Sequence, residues 1–467
     1  MSPSSPRQPR RAAAAVLAAT ALAACASQPP QDEPPAAAPA APFASTYVPS
    51  PTAPFVLEGA TVLTGDGGRL ENASVYVADG LVQAVGADFE VPAGVRRIDA
   101  RGRWITPGII DVHSHLGNYP VPSAKAHQDG NEMTSPNTAG VWAEHSVWPQ
   151  DPGFNTARAA GVTSLQVLPG SANLFGGRTV TLKNVPARTV QEMKFPGAPH
   201  GLKMACGENP KRVYGERQVT PMTRMGNVSG YRTAWIEARE YLEQQEQAAA
   251  GEGEPPTRDL ALETLAGVLK GDILIHNHCY RADEMALMID LGREFGYHPG
   301  TFHHATEAYK IADLLKESDS CAAMWADWWG FKLEAWDAIR ENIAIVDAVG
   351  ACAIVHSDSE VEIQRLNQEA AKVMAAARRA GMEISPEHAI RWLTVNAAHS
   401  LGIADQVGTL APGKMADLVV WNDNPFSVYA RAERVYIDGA LVHQHDNPAF
   451  PTRSDFELGM IETGAGQ

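Results

Sequence analysis

The chain has 467 residues, 45% of them hydrophobic and 20% charged. That is too long for one ordinary domain and suits a large barrel with a smaller module attached. The formal net charge of −16 argues against nucleic-acid binding, which needs a basic surface to neutralise phosphates. It names no substrate, because a solvated acidic surface is ordinary.

The N-terminus reads as a targeting segment. Arg10 and Arg11 precede a short apolar run over 12–24, a secretory signal too short for a stable membrane span. The run ends Leu22-Ala23-Ala24-Cys25, which resembles a bacterial lipoprotein cleavage box. That resemblance implies signal removal over 1–25, acyl chains on Cys25, and membrane contact only through this anchor. Ala26 follows the cysteine, so nothing signals inner-membrane retention, and the expected location is the periplasm or outer membrane. Residues 26–54 are Pro/Ala-rich and read as a disordered tether.

Residues 55–104 carry short strand-like runs separated by turn signals such as Asp79-Gly80. Residues 405–450 are similar, with strands around 417–421 and 434–437 and a turn at Asp438-Gly439. Neither piece is large enough for its own core, so the two ends are expected to build one β-sandwich. Between them, over 105–404, apolar strand-like runs alternate with helical stretches at 232–249, 282–295, 307–316 and 360–380. This α/β alternation predicts a (β/α)₈ barrel. Seven strands are legible, and the eighth is expected within 170–200. Cys206, Cys279, Cys321 and Cys352 form no C-x-x-C pair, and three lie in apolar runs. They read as buried free thiols.

A barrel places its active site at the C-terminal ends of its strands. His113 and His115 end the first strand, and residues two apart in an extended segment share a side. Lys203 lies inside an apolar strand, where an unpaired ammonium is costly. Carboxylation by CO₂ would make Lys203 an anionic bridge between two metals. The alternatives are a lysine paired with an acid such as Glu208, or Glu208 as the bridging ligand. Later strands end at His276-Asn277-His278, at His303-His304 and at His356-Ser357-Asp358. These polar strand ends supply a ligand set for two divalent ions of the zinc type. Asp358 is the expected proton shuttle, with His303 and His356 as orienting, oxyanion-stabilising or substrate-contacting groups, or else as packing residues.

The segments 106–115 and 408–420, with Asn396-Ala397-Ala398 before the second, resemble the amidohydrolase superfamily near its imidazolonepropionase-related branch. The resemblance covers about 55–445. Residue by residue it implies His113, His115, Lys203, His278, His304 and Asp358 as metal ligands. The run after Lys203 departs from the related dipeptidase pattern, which keeps Glu208 open as the alternative bridge. The implied activity is hydrolysis of a small cyclic amide or dipeptide. A ring deaminase and a non-catalytic solute-binding lipoprotein are the alternatives. Tyr214, Arg224, Tyr231 and Arg281 follow barrel strands as candidate substrate contacts, although Arg281 can instead pair with Asp283 or Glu284. The loop 117–160 is read as a lid or part of a subunit interface in a possible homo-oligomer.

Overall fold

The computed structural model describes residues 42–450. The signal segment, the Cys25 anchor and most of the tether lie outside the described residues. Five strands come first: β1 (Phe55–Leu63), β2 (Arg69–Ala78), β3 (Leu81–Gly86), β4 (Arg96–Asp99) and β5 (Trp104–Pro107). The barrel strands follow: β6 (Ile109–Ser114), β7 (Val162–Val167), β8 (Phe175–Arg178), β9 (Val180–Lys183), β10 (His200–Ala205), β11 (Ile273–Cys279), β12 (Thr301–His304), β13 (Cys321–Met324) and β14 (Cys352–Val355). The chain closes with β15 (Leu418–Trp421), β16 (Ala432–Ile437) and β17 (Ala440–Gln444).

The two ends pair into one eight-stranded sheet in the order β17-β16-β15-β5-β1-β2-β3, with β4 beside β1. It encloses its own core of Phe55, Leu57, Val75, Ile105, Leu418 and Tyr436. Asp438 and Gly439 both take positive φ, 46° and 73°, the conformation of a tight hairpin turn. Asp79 and Gly80 repeat the device at 54° and 75°.

The barrel strands β10 to β14 are parallel neighbours, and β6 runs parallel to β7. The eighth staff is the pair β8–β9, inside the stretch expected to hide it, but it runs antiparallel to both β7 and β10. The cause is connection length. Only residues 168–174 separate β7 from β8, whereas a parallel return needs a crossover of about a dozen or more residues. On the other side, β14 meets β6 through backbone and side chain. Asp358 N donates to the His113 carbonyl at 3.0 Å, and Ser357 N and Oγ both donate to the Asp111 carboxylate.

The cysteines correct the free-thiol reading. Cys206 is bonded to Cys279, and Cys321 to Cys352. Cys321 and Cys352 are register partners on β13 and β14, which brings their Cα atoms within 4.5 Å. Lys183, fully buried at the end of β9, joins barrel to sheet. Its ammonium donates to Asp417 and to Asp438 at 3.0 Å. The loop 117–160 is packed rather than lid-like at its core: Ala139, Ala143 and Val147 are buried. The Asp151 carboxylate there accepts from the backbone N–H groups of Gly117, Val121 and Gly153. Among the described residues no helix is long and apolar enough to cross a membrane.

Candidate metal centre at the barrel mouth

Strand ends from around the barrel deliver polar side chains to one place. His113 Nε2 lies 3.3 Å from Asp358 Oδ1, and His115 Nε2 lies 3.2 Å from the same oxygen. His304 Nδ1 is 3.8 Å from the other Asp358 oxygen. Lys203 Nζ is 3.3 Å from His113 Nε2. Two sets of donors are close enough to share a cation: His113, His115 and Asp358, and His113, His304 and His356. His304 and Asp358 both take positive φ, 71° and 51°. Such conformations cost energy and persist where the surroundings impose them, commonly at functional sites.

The donors suit a borderline divalent ion. Burial pushes the pKa values of His113, His278 and His304 well below the usual imidazole value, so these rings are neutral and carry a lone pair. Burial also pulls the Lys203 ammonium down to about 8, which enriches the neutral amine, the form whose lone pair can attack CO₂. The His115 tautomer is fixed, because its Nδ1–H donates to the Leu168 carbonyl at 2.9 Å. Its Nε2 therefore presents a lone pair toward Asp358. Among the described residues, the buried Nδ1 atoms of His278 and His304 have no hydrogen-bond partner.

His278 reaches the same mouth but outside both donor sets. Its ring sits edge-on to His304 at 4.6 Å, and its Nε2 accepts from the Asn209 amide at 3.3 Å. Glu208 opens helix α2 (Glu208–Gly215), counting Pro152–Ala159 as α1, and its carboxylate faces Lys332 at 3.6 Å. The structure thus brings Lys203, and not Glu208, against His113. His356 Nε2 accepts the main-chain N–H of His304 at 3.1 Å, so this ring braces the end of β12.

Three expected substrate contacts are occupied elsewhere. The Tyr214 hydroxyl is buried between the Ser135 carbonyl and the Asn173 side chain. Arg281 forms a two-pronged pair with Asp283 at 2.9 Å, the alternative the sequence offered. His303 is fully buried and faces no substrate space. Of the other candidates, His356 braces β12 as described, Tyr231 donates to the Ala205 carbonyl, and Arg224 pairs with Glu284 and Glu334.

His303 belongs instead to a chain of side chains across the barrel interior. His113 Nδ1 meets His303 Nδ1 at 2.8 Å, and His303 Nε2 meets His276 Nδ1 at 3.0 Å. His276 Nε2 then meets the Gln166 amide at 3.1 Å. As placed, the Gln166 NH2 group faces His276 and also donates to Thr179 Oγ1 at 2.9 Å. From that end Gln166 donates to His276 Nε2, His276 Nδ1–H to His303 Nε2 and His303 Nδ1–H to His113 Nδ1, which leaves the His113 Nε2–H facing the Asp358 carboxylate. A metal on His113 Nε2 would reverse the chain, with His113 Nδ1–H donating to His303 and the Gln166 amide turned so that its Oε1 accepts from His276. Gly201 makes the room: a Cβ there would lie 2.5 Å from the His276 ring. Sequence reasoning noted His276 only as the first histidine of an H-x-H strand end, with no role, and missed Gln166; Gly201, one turn of pleat before Lys203, was the further signal of a ring packed there.

A match to the Amidohydrolase family covers residues 335–442. An amidohydrolase from Thermotoga maritima shares 36% identity, with 84% of this chain and 100% of that chain aligned at a TM-score of 0.78. The amidohydrolase tasK of Hapsidospora irregularis is 31% identical over 398 residues, 80% of this chain. The chain belongs to the amidohydrolase superfamily. It spans only 40% of the length of tasK. An imidazolonepropionase of Geobacillus kaustophilus is 23% identical over 421 residues, covering 81% of this chain and 89% of its own. Members of this superfamily are metal-dependent hydrolases of carbon–nitrogen bonds, and the mouth of this barrel carries His and Asp groups able to bind a metal.

Proposed function

We propose that this amidohydrolase cleaves the amide C–N bond of a small cyclic amide or dipeptide-like substrate. The observation that carries the reading is the meeting of His113, His115 and Asp358 at 3.2–3.3 Å, with Lys203 and His304 beside them. The likeness to imidazolonepropionases supports the cyclic-amide half. His113, His115, Lys203, His278, His304 and Asp358 would hold two divalent ions, zinc by donor type, with Lys203 carboxylated as the bridge. Two such ions, when bound, polarise a carbonyl and acidify water.

The chain's own contribution centres on Asp358. Its side chain is 24% exposed, whereas His113 and His304 beside it are 1% and 2% exposed. It is therefore the group at this mouth that can touch both water and substrate. An Asp358 oxygen takes the proton of the attacking water and returns it to the leaving nitrogen. His303 and His356 hold the rings of His113 and the backbone of His304 in place, which keeps the proton acceptor aligned. Exclusion of bulk water falls to the buried histidines and to Trp325, which stacks on His304 at 4.4 Å.

The two disulfides support an oxidising compartment, in keeping with export through the signal segment and an anchor at Cys25. The test is a screen of dipeptides, N-acyl amino acids and cyclic amides with zinc-loaded protein, wild type against Asp358→Asn. Expected is turnover that falls by about 10²–10⁴-fold in the variant while zinc content holds. Near wild-type turnover in Asp358→Asn would remove it from the proton-transfer role.

A further inference from the structure

The segment after β13 is unusually aromatic: Trp325, Trp328, Trp329, Phe331 and Trp336 fall within 12 residues of one another. It leaves the C-terminal end of a barrel strand, the position that builds substrate sites in this fold. Trp325 stacks on His304 with centroids 4.4 Å apart and planes 24° apart. Its indole N–H donates to the Ser357 carbonyl at 3.0 Å, next to Asp358, which fixes the ring plane. Trp328 lies 5.7 Å from Trp325, and Phe331 stands edge-on at 5.9 Å. Tyr280 completes the face, 5.2 Å from His304 and 6.3 Å from Phe331. The aromatic rings thus run without a break from a candidate metal ligand to the surface, where Phe331 is 59% exposed.

We propose that the substrate carries a neutral aromatic or bulky apolar group beside its scissile amide, seated on Trp325, Trp328, Phe331 and Tyr280. This rests on the amide-hydrolase reading above and names the substrate class within it. The loop is held in shape before any ligand arrives. Glu334 is tied to Arg224, and Gly330 N donates to the Ala335 carbonyl at 2.9 Å. Such preorganisation favours binding because little ordering remains to be done. The charge balance argues for a neutral group. Lys332 lies over the Tyr280 ring at 4.0 Å, but its ammonium is already met by Asn209 at 3.1 Å, Glu208 at 3.6 Å and Glu334 at 3.7 Å. A substrate carboxylate placed there would face those two glutamates.

The experiment titrates zinc-loaded protein by tryptophan fluorescence with N-acetyl-phenylalaninamide, N-acetyl-alaninamide and N-acetyl-phenylalanine. The phenyl amide should bind about 10-fold more tightly than the methyl one, the scale expected for burying a phenyl ring. Phe331→Ala, at an exposed position that leaves the fold intact, should remove most of that ratio. Equal binding of the two amides, or an unchanged ratio in Phe331→Ala, overturns the proposal. So does tighter binding of the acid than of the phenyl amide. Dissociation of a dimer by Phe331→Ala with the ratio unchanged would assign the aromatic face to a second copy and overturn it as well. Turnover of the same probes is read separately: an aromatic preference without hydrolysis sinks the amide-hydrolase reading and leaves the aromatic subsite standing.

Discussion

His113 is held from behind, and the chain that holds it makes a direct prediction. With a metal on its Nε2, the His113 proton sits on Nδ1, where the acceptor is His303 Nδ1 at 2.8 Å. Replacing that acceptor by a hydrocarbon leaves the His113 ring free to turn or to place its proton on Nε2, where a metal would bind. His303→Leu should therefore lower zinc affinity by about 10–100-fold, the range for loss of a supporting hydrogen bond. His303→Asn, whose Oδ1 falls near the Nδ1 position, should restore part of it. Competition with a chelator on metal-free protein measures both, and equal affinity in the two variants would rule out a positioning role. The sequence shows why half of this was legible. A strand ending in His276-Asn277-His278 or His303-His304 announces polar residues at the mouth. It does not say which histidine of each pair turns inward to a supporting chain and which faces the open end. Neither does it show that Glu208 is turned to Lys332, because that depends on where the loop after β13 lies.

The strands explain what could be read and what could not. Apolar runs at 109–112, 163–167, 202–205, 273–276, 300–303, 322–325 and 351–355 are strand cores because their side chains are buried on both faces, and that pattern is local. Direction and neighbour are not local. The antiparallel course of β8–β9 follows from the short link before it, and the disulfides follow from which strands lie side by side. Cys206 and Cys279 sit 73 residues apart in sequence yet close the ends of β10 and β11, which also carry Lys203 and His278. A crosslink over a loop that long restricts the unfolded chain by about 2–4 kcal/mol, more in the simplest entropic estimate. The double variant Cys206→Ala/Cys279→Ala should lose stability on that scale in urea unfolding. Its loss should exceed that of Cys321→Ala/Cys352→Ala, whose loop is 31 residues. The reverse order would show that strain or residual unfolded structure outweighs loop closure. Of the helices that flank these strands, α3 (Arg224–Ala249) is legible from 232 onward and α5 (Ala282–Phe295) throughout, whereas α4 (Leu260–Leu269) is not among the helical stretches read from the sequence.

For the molecule as a whole, burying so many histidines in one barrel ties stability to pH. Burial lowers His276 to about 3 and His356 to about 4, and holds His113, His278, His303 and His304 well below the ordinary value. In the unfolded chain each would titrate near 6.5. Between that value and the folded ones, the unfolded state binds more protons, so stability is complete above about pH 6.5 and is lost as pH falls. Each of the six removes roughly 1 kcal/mol between pH 7 and 5.5 on that linkage. Some carboxyls pull the other way. Burial raises Asp111 and Asp417 to about 6, and raises Asp151, Glu284, Glu334 and Glu369 less far. A raised carboxyl gains stability as pH falls through its folded value, and at about 6 Asp111 and Asp417 begin that gain inside this interval. The histidines outnumber them three to one, so the net slope is positive. Metal-free protein should therefore lose on the order of 10 °C in Tm between pH 7 and 5.5, read by thermal unfolding in the presence of a chelator. A Tm that stays level or rises over that interval would mean that these rings are not held neutral in the folded barrel.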